Sequence, residues 1–322
     1  EGDSMKYLIV GIGGVGGAIA SFLLNQNKDV TLAVRKTRKA YLMDNGLEIT
    51  SDIIGHKNFS QLKIIDIENY NDQNNDIQNN EKFDIIFVCV KYYHLKSVIG
   101  ALQDLSDQNT VIIPLLNVYG TGEELQKILI NRNVIDGCLY IVSYLRDNSL
   151  VQMGKYFKVI YGKRKDQNLD KHLINNLKVL EKDLKESEIH VLYSDNIEKD
   201  AYEKYIFISA CAAATIYYNC DCGTIRITAE YLETFAELVK ENIALAQKLG
   251  VSIDDSFVYD ILAILNKMDP KSSTSAKLDW DNGNQTEVEG LIYNVLKNGE
   301  KLELKMVTYK KVSEKLKRQS KV

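Results

Sequence analysis

The stretch Lys6-Tyr7-Leu8-Ile9-Val10-Gly11-Ile12-Gly13-Gly14-Val15-Gly16-Gly17-Ala18 decides how the rest of the chain is read. A run of β-formers passes into closely spaced glycines and then into an Ala-rich amphipathic segment. That is the strand, tight turn and helix needed to hold a dinucleotide pyrophosphate. Gly11 permits the turn, Gly13 lets the backbone approach the phosphates, and Gly16 lets the helix pack closely on the strand. Gly14 and Val15 fill out the G-x-G-x-x-G spacing, so that N–H groups at the helix start face the anion. An ordinary Gly-rich βα turn would use the same glycines. Their place directly after the first apolar strand favours a Rossmann unit.

Outward from that loop, 322 residues fit two domains, with ample apolar content for real cores. The formal net charge of −4 gives no reason to expect nucleic acid or an anionic membrane as partner. Cys89, Cys138, Cys211, Cys220 and Cys222 are an odd, scattered set and read as reduced buried thiols. Cys220-Asp221-Cys222 has no second cysteine or histidine pair nearby, so a helix-end turn is expected there and no metal. No apolar stretch approaches the length of a membrane span, and no leader precedes the first strand. A cytoplasmic protein is therefore expected. Glu1-Gly2-Asp3-Ser4, ahead of Met5, reads as a cloning remnant and not as part of the fold.

The first helix should run from Gly14 to about Leu24, followed by the strand Asp29 to Val34. At the end of that strand an Asp or Glu would meet a free ribose 2′-hydroxyl, but the chain supplies Arg35, Lys36 and Arg38. Cations there pair with a 2′-phosphate, which favours NADP (NADPH) over NAD; a solvated basic helix start is the alternative. Residues Tyr70 to Glu81 are too polar for a core and predict a surface loop. Phe83 to Val90 is a continuous apolar run, typical of a strand buried on both faces, and it ends in Lys91 at the ligand-binding edge of the sheet. A helix over Leu95 to Leu105, a strand over Thr110 to Leu116 and a helix over Gly122 to Ile130 come next, with Asn117 again at a strand's carboxyl end. Val134 to Tyr144 and Tyr156 to Tyr161 lack long helices between them and suggest that antiparallel strands extend the sheet. A helix over Asp170 to Leu184 and a short strand near His190 to Leu192 close this half, giving an α/β domain over 5–194.

From Asn196 onward the pattern is helical, which predicts an all-helical domain over 195–322. In the helix from Ile197 to Tyr217, Lys204 has Ala201, Phe207, Ile208 and Cys211 as helical neighbours. A lysine so placed either snorkels to water or points into a cleft with work to do. Helices over Ala229 to Leu249 and Ser256 to Met268 are followed by a loop, Ser272 to Trp280, and then by a helix opening at Gln285 and reaching Leu296. Glu287 falls in its first turn, where the helix dipole favours a carboxylate. The basic tail Lys310, Lys311, Lys315, Lys317, Arg318 and Lys321 reads as a solvated face.

Taken together, these motifs resemble the ketopantoate reductase (2-dehydropantoate 2-reductase) family over nearly the whole chain, from Met5 to about Leu316. The resemblance rests on Gly11, Gly13 and Gly16, on Val90-Lys91 and Asn117 after successive strands, on Lys204, and on Thr274-Ser275-Ala276-Lys277-Leu278-Asp279 followed by Thr286-Glu287, which resembles S-S-M-x-x-D…T-E. It implies an NADP-binding Rossmann domain joined to an all-helical domain, with the active site in the cleft between them. It further implies that Lys204 is the general acid, that Glu287 and Ser275 hold the substrate's hydroxyl and carboxylate, and that Asn117 borders both ligands. Arg35 and Lys91 would then serve the cofactor. A homodimer through the helical domain is compatible with the resemblance.

Two departures bear on the substrate. Asparagines usual in the family one and two helical turns beyond the lysine are Ile208 and Ala212 here; Val118 and Ala276 replace its usual Gly and Met. An apolar residue in place of a substrate-touching amide makes a pocket drier and less able to grip a polar keto acid. The expected activity is NADPH-dependent reduction of a 2-keto acid, ketopantoate first, feeding pantothenate synthesis. The alternatives are a sister reductase of a more apolar 2-keto compound and a catalytically silent NADP-binding sensor.

Overall fold

The computed structural model describes residues 4–70 and 81–319. The chain divides into two compact units, one comprising Glu1–Leu116 with Gly120–Ile197, the other Asn117–Tyr119 with Glu198–Val322. Of the polar segment expected to loop over the surface, residues 71–80 lie outside the described residues, as does Lys321 of the basic tail.

The first unit begins with β1 (Lys6–Val10), α1 (Gly14–Asn25), β2 (Asp29–Val34), α2 (Lys36–Asn45), β3 (Leu47–Ser51), β4 (Gly55–Phe59) and β5 (Lys63–Asp66). After the undescribed segment come β6 (Ile85–Val88), a 3₁₀ stretch (Tyr92–Val98) running into α3 (Ile99–Leu105), β7 (Val111–Pro114), α4 (Thr121–Ile128) and β8 (Asn133–Val134). The unit closes with β9 (Asp136–Arg146), β10 (Ser149–Gly162), α5 (Lys171–Glu186) and β11 (His190–Tyr193).

Six strands form a parallel sheet in the order β5-β2-β1-β6-β7-β8. Successive crossovers leave β1 in opposite directions, which puts a topological switch point at the carboxyl ends of β1 and β6. Burial on both faces explains the apolar strand sequences. Tyr7 and Ile9 belong to the core on one face, Leu8 and Val10 to the core on the other, and all four are fully buried. Each such side chain contributes about 1.5–3 kcal/mol relative to exposure.

The expected antiparallel pair is β9–β10, and it belongs to a second sheet of order β11-β10-β3-β4 with β9 on β10. This sheet packs on α1 through β9 and β10, and its inner residues Leu139, Leu150, Phe157 and Val159 share the core of Phe22 and Leu23. The hairpin β3–β4 and the helix α2 carry no strong signal in sequence. β4 is exposed along most of its length, so no apolar alternation marks it.

In the second unit the elements are α6 (Ile197–Tyr218), α7 (Cys222–Ile227), α8 (Ala229–Lys248), α9 (Phe257–Lys267), α10 (Ser275–Asp281), a π-helical turn (Glu289–Tyr293) leading into α11 (Asn294–Lys301), and α12 (Val307–Gln319). α8 packs against α7, α9, α11 and α12. Two details differ from the sequence expectation. Two thirds of the segment expected as a loop over Ser272 to Trp280 belongs to α10. The Thr274 side chain caps it by accepting from the Lys277 N–H at 3.1 Å; a Ser/Thr cluster reads as a turn, but the same hydroxyls are also good helix caps. Glu287 stands just before the helix instead of inside its first turn, its carbonyl accepting from the Leu291 N–H at 2.9 Å.

Candidate functional site

In the first unit the glycine loop is shaped by three separate constraints. Gly11 has φ +91°, a left-handed conformation that side chains avoid, and its N–H donates to the Ala33 carbonyl at 3.0 Å. At Gly16 a Cβ would stand 2.0 Å from the Gly11 carbonyl oxygen, so helix and turn are in direct backbone contact. At Gly13 a Cβ would meet nothing within 4 Å, so this backbone faces open space. Among the described residues no side chain caps α1 and no carboxylate lies in its first turn. Its first N–H groups and the positive end of its dipole are thus presented to an anion. These features fit a dinucleotide pyrophosphate.

Gly14 has a reason that the motif alone does not give. A Cβ there would come 2.3 Å from the Ser143 carbonyl oxygen, and the Ser143 hydroxyl donates to the Gly14 carbonyl at 2.9 Å. Strand β9 of the second sheet therefore lies directly against the start of α1. The half-buried Val15 packs on the same core.

Strand register places the cationic residues. Val10 pairs with Ala33 on one side and Val88 on the other, so the carboxyl ends of β2, β1 and β6 are level. Arg35 follows β2 and is exposed, and Lys91 opens the 3₁₀ stretch after β6. His94, which carries no distinguishing signal in sequence, lies within reach of this charge. Burial, and after it the Arg35 guanidinium, hold the His94 imidazole below its usual range. Its backbone N–H closes a turn on the Lys91 carbonyl at 2.8 Å. Arg38 is committed elsewhere, donating to the Asn148 side chain at 3.1 Å and carbonyl at 3.0 Å. Arg35 and Lys91 stand at the level carboxyl ends of β2 and β6.

In the second unit, Lys204 does not snorkel. The residue is only 8% exposed, and its Nζ donates to Asn117 Oδ1 at 2.9 Å. Asn117 is three residues past the end of β7 yet groups with the helical unit, and the next residue but one explains why. The Tyr119 ring lies 4.4 Å from that of Tyr202 and 6.1 Å from that of Tyr205, both on α6. This aromatic anchor holds the loop so that its amide meets the lysine. No distinctive signal marks it along the chain, since tyrosines at helical spacing read as core.

Glu287 is 3% exposed, and the turn that follows it is fastened to α6. The Tyr205 hydroxyl donates to the Gly290 carbonyl at 2.6 Å, and the Ser209 hydroxyl to the Leu291 carbonyl at 2.6 Å. Ile208, half-buried, and the fully buried Ala212 follow Lys204 at i+4 and i+8, on the same face of α6. Ser275 is exposed at the first position of α10. That helix is tied to the end of α6 by Lys277, which donates to Asn219 Oδ1 at 2.8 Å and pairs with Asp281. Lys204, Asn117, Ile208 and the Glu287 turn thus gather around α6. None of the five cysteines forms a disulfide; Cys220 lies in the α6–α7 connection and Cys222 at the start of α7. No described helix is long and apolar enough to cross a membrane.

Comparison with known proteins gives a consistent picture. The description "Ketopantoate reductase PanE/ApbA" matches residues 7–166, and "Ketopantoate reductase PanE/ApbA C terminal" matches residues 196–320. An uncharacterised oxidoreductase of Bacillus subtilis is 28% identical over 301 residues, 93% of this chain and 94% of the relative. A 2-dehydropantoate 2-reductase of a Nostoc species is 22% identical over 296 residues, 91% of this chain and 88% of the relative. Among solved structures, a 2-dehydropantoate 2-reductase from Geobacter metallireducens superposes with a TM-score of 0.84 at 18% identity, covering 98% of this chain and 100% of that one.

Proposed function

Because this chain belongs to the ketopantoate reductase family, a family of oxidoreductases, we propose that it reduces a 2-keto acid to the 2-hydroxy acid with NADPH, ketopantoate to pantoate being the first substrate to test. The observation that carries this reading is Lys204, a buried ammonium whose Nζ is aimed by Asn117 Oδ1. Gly11, Gly13, Gly14, Val15 and Gly16 hold the pyrophosphate, and Arg35 with Lys91 takes the 2′-phosphate. When bound, NADPH supplies the hydride for the carbonyl carbon. Addition there turns the carbonyl oxygen into an alkoxide, and Lys204 Nζ stabilises that charge and donates the proton. Glu287 holds the substrate's hydroxyl and Ser275 its carboxylate, which fixes the carbonyl for attack. In this role the product feeds pantothenate synthesis.

The test is NADPH consumption by the purified protein with ketopantoate and a panel of 2-keto acids. Turnover of ketopantoate supports the reading, and cofactor binding with no turnover of any acid overturns it. Ile208 and Ala212 favour a second reading, a reductase of a more apolar 2-keto acid, because neither offers an amide to a polar substrate. Preference for such an acid over ketopantoate, reversed towards ketopantoate by Ile208→Asn, distinguishes it from the first.

Cofactor choice is tested separately. Arg35→Ala weakens NADPH binding by about tenfold and leaves NADH binding nearly unchanged; equal weakening of both contradicts pairing with a 2′-phosphate. His94 adds a dependence on pH. Its imidazole is held below the usual range by burial and by Arg35, so it is neutral near pH 7. A 2′-phosphate beside Arg35 favours the protonated form, so NADPH affinity relative to NADH rises as the pH falls from neutral towards the lowered range of the free imidazole. Titration calorimetry at several pH values on wild type and His94→Asn checks this, and identical pH profiles for the two proteins refute it.

A further inference from the structure

The turn after Glu287 is built in an unusual way. The Asn294 N–H reaches the Glu289 carbonyl, five residues back, so this turn is π-helical. A π turn displaces carbonyls from their ordinary i+4 donors and persists where other groups compensate, often at functional sites. Here the compensation comes from α6, one and five residues beyond Lys204: Tyr205 on the Gly290 carbonyl and Ser209 on the Leu291 carbonyl, each at 2.6 Å.

Behind Ser209 runs a chain of fully buried polar groups whose direction follows from counting protons. Ser209 Oγ and Tyr309 Oη are 2.6 Å apart. A serine hydroxyl has one proton, which Ser209 gives to the Leu291 carbonyl, so Tyr309 donates to Ser209. Asn242 Nδ2 in turn donates to Tyr309 Oη at 3.3 Å, and Tyr202 Oη donates to Asn242 Oδ1 at 3.2 Å. Burial holds the Tyr309 and Tyr202 hydroxyls above their usual range, which keeps these protons in place. At its far end Tyr202 packs on Tyr119, two residues from Asn117. At its near end Leu291 returns an N–H to the Glu287 carbonyl at 2.9 Å.

We propose that Tyr205, Ser209 and Tyr309 are positioning residues: a directed hydrogen-bond chain sets the π turn against α6 and thereby fixes the Glu287 carboxylate relative to Lys204 and Asn117. Neither the glycine loop nor the basic residues of the first unit take part. The proposal rests on the reading of Glu287 as the substrate-orienting carboxylate. Every group in the chain has one allowed role, so loss of one hydroxyl loosens the turn without opening a route to water.

The experiment uses the full chain with Tyr205→Phe, Ser209→Ala, the double variant and Tyr309→Phe. It measures KM and kcat for the 2-keto acid, NADPH affinity, and amide hydrogen exchange over residues 288–295. The double variant raises KM by about tenfold with NADPH affinity unchanged, and it speeds exchange in the π turn. In a Glu287→Gln background the same substitutions add nothing further to the loss, because the carboxylate they would misplace is gone. Additive losses, or an unchanged KM together with unchanged exchange, overturn the proposal. If wild type reduces no 2-keto acid, the functional reading fails separately. Exchange then decides the chain by itself, with unaltered protection in the double variant counting against it.

Discussion

Lys204→Ala lowers turnover of the 2-keto acid by about 10²–10⁴-fold while the protein still folds and binds NADPH. The size of the effect follows from what the side chain is asked to do. Charge develops on the carbonyl oxygen only during the reaction, so a fixed ammonium acts mainly on the transition state and its removal appears in kcat. Lys204 is only 8% exposed and held at 2.9 Å by Asn117, so the charge is already oriented and partly shielded from water before substrate arrives. Asn117→Ala keeps the ammonium but frees its direction, and a smaller loss, about tenfold, is expected. NADPH titration and steady-state kinetics on both variants check the pair. A Lys204→Ala protein with wild-type kcat removes the lysine from the reaction, and a larger loss in Asn117→Ala than in Lys204→Ala reverses the roles.

Gly16→Ala costs both stability and cofactor binding, whereas Gly13→Ala costs only the second. At position 16 the added methyl would be 2.0 Å from the Gly11 carbonyl oxygen and 2.9 Å from Cys89 Cβ. Neither can yield cheaply, since Gly11 is bonded into the sheet through Ala33 and the Cys89 N–H donates to Val10 at 2.8 Å. Such overpacking costs about 1–3 kcal/mol, and the displaced helix start carries the phosphate-facing N–H groups with it. Thermal unfolding should show a midpoint lower by several degrees, and NADPH affinity should fall by about a hundredfold. At position 13 φ is −91° and a Cβ would meet nothing within 4 Å. The Gly13→Ala protein therefore unfolds like wild type, yet its methyl occupies the space the pyrophosphate needs. Wild-type affinity in Gly13→Ala would show that the phosphates do not approach this backbone.

How much of this was legible in the sequence depends on whether a signal was local. The strand-glycine-helix opening, the buried β6 and the long helices α6 and α8 could be placed from periodicity, because burial on both faces or along one face leaves a continuous record in the chain. The hairpin β3–β4 left little, its outer strand being mostly exposed, and α10 was hidden because serines and threonines serve loops and helix caps alike. The glycine loop could be recognised, but the cause of Gly14 could not, since it lies in Ser143 and Tyr144 of a strand about 130 residues away.

The amino-acid sequence by itself determined the two-part architecture, the glycine loop between β1 and α1 and the residue types available for chemistry, because these follow from local conformation and hydrophobic pattern. It could not decide whether Lys204 met water or a partner. That depended on Tyr119 packing against Tyr202 and Tyr205 and so carrying Asn117 to the lysine, a contact between segments some 85 residues apart. The setting of Glu287 was decided in the same way, by hydroxyls of α6 reaching the carbonyls of a π turn. Backbone propensity is written along the chain, whereas the direction of a buried polar side chain is set by whichever distant group must satisfy it.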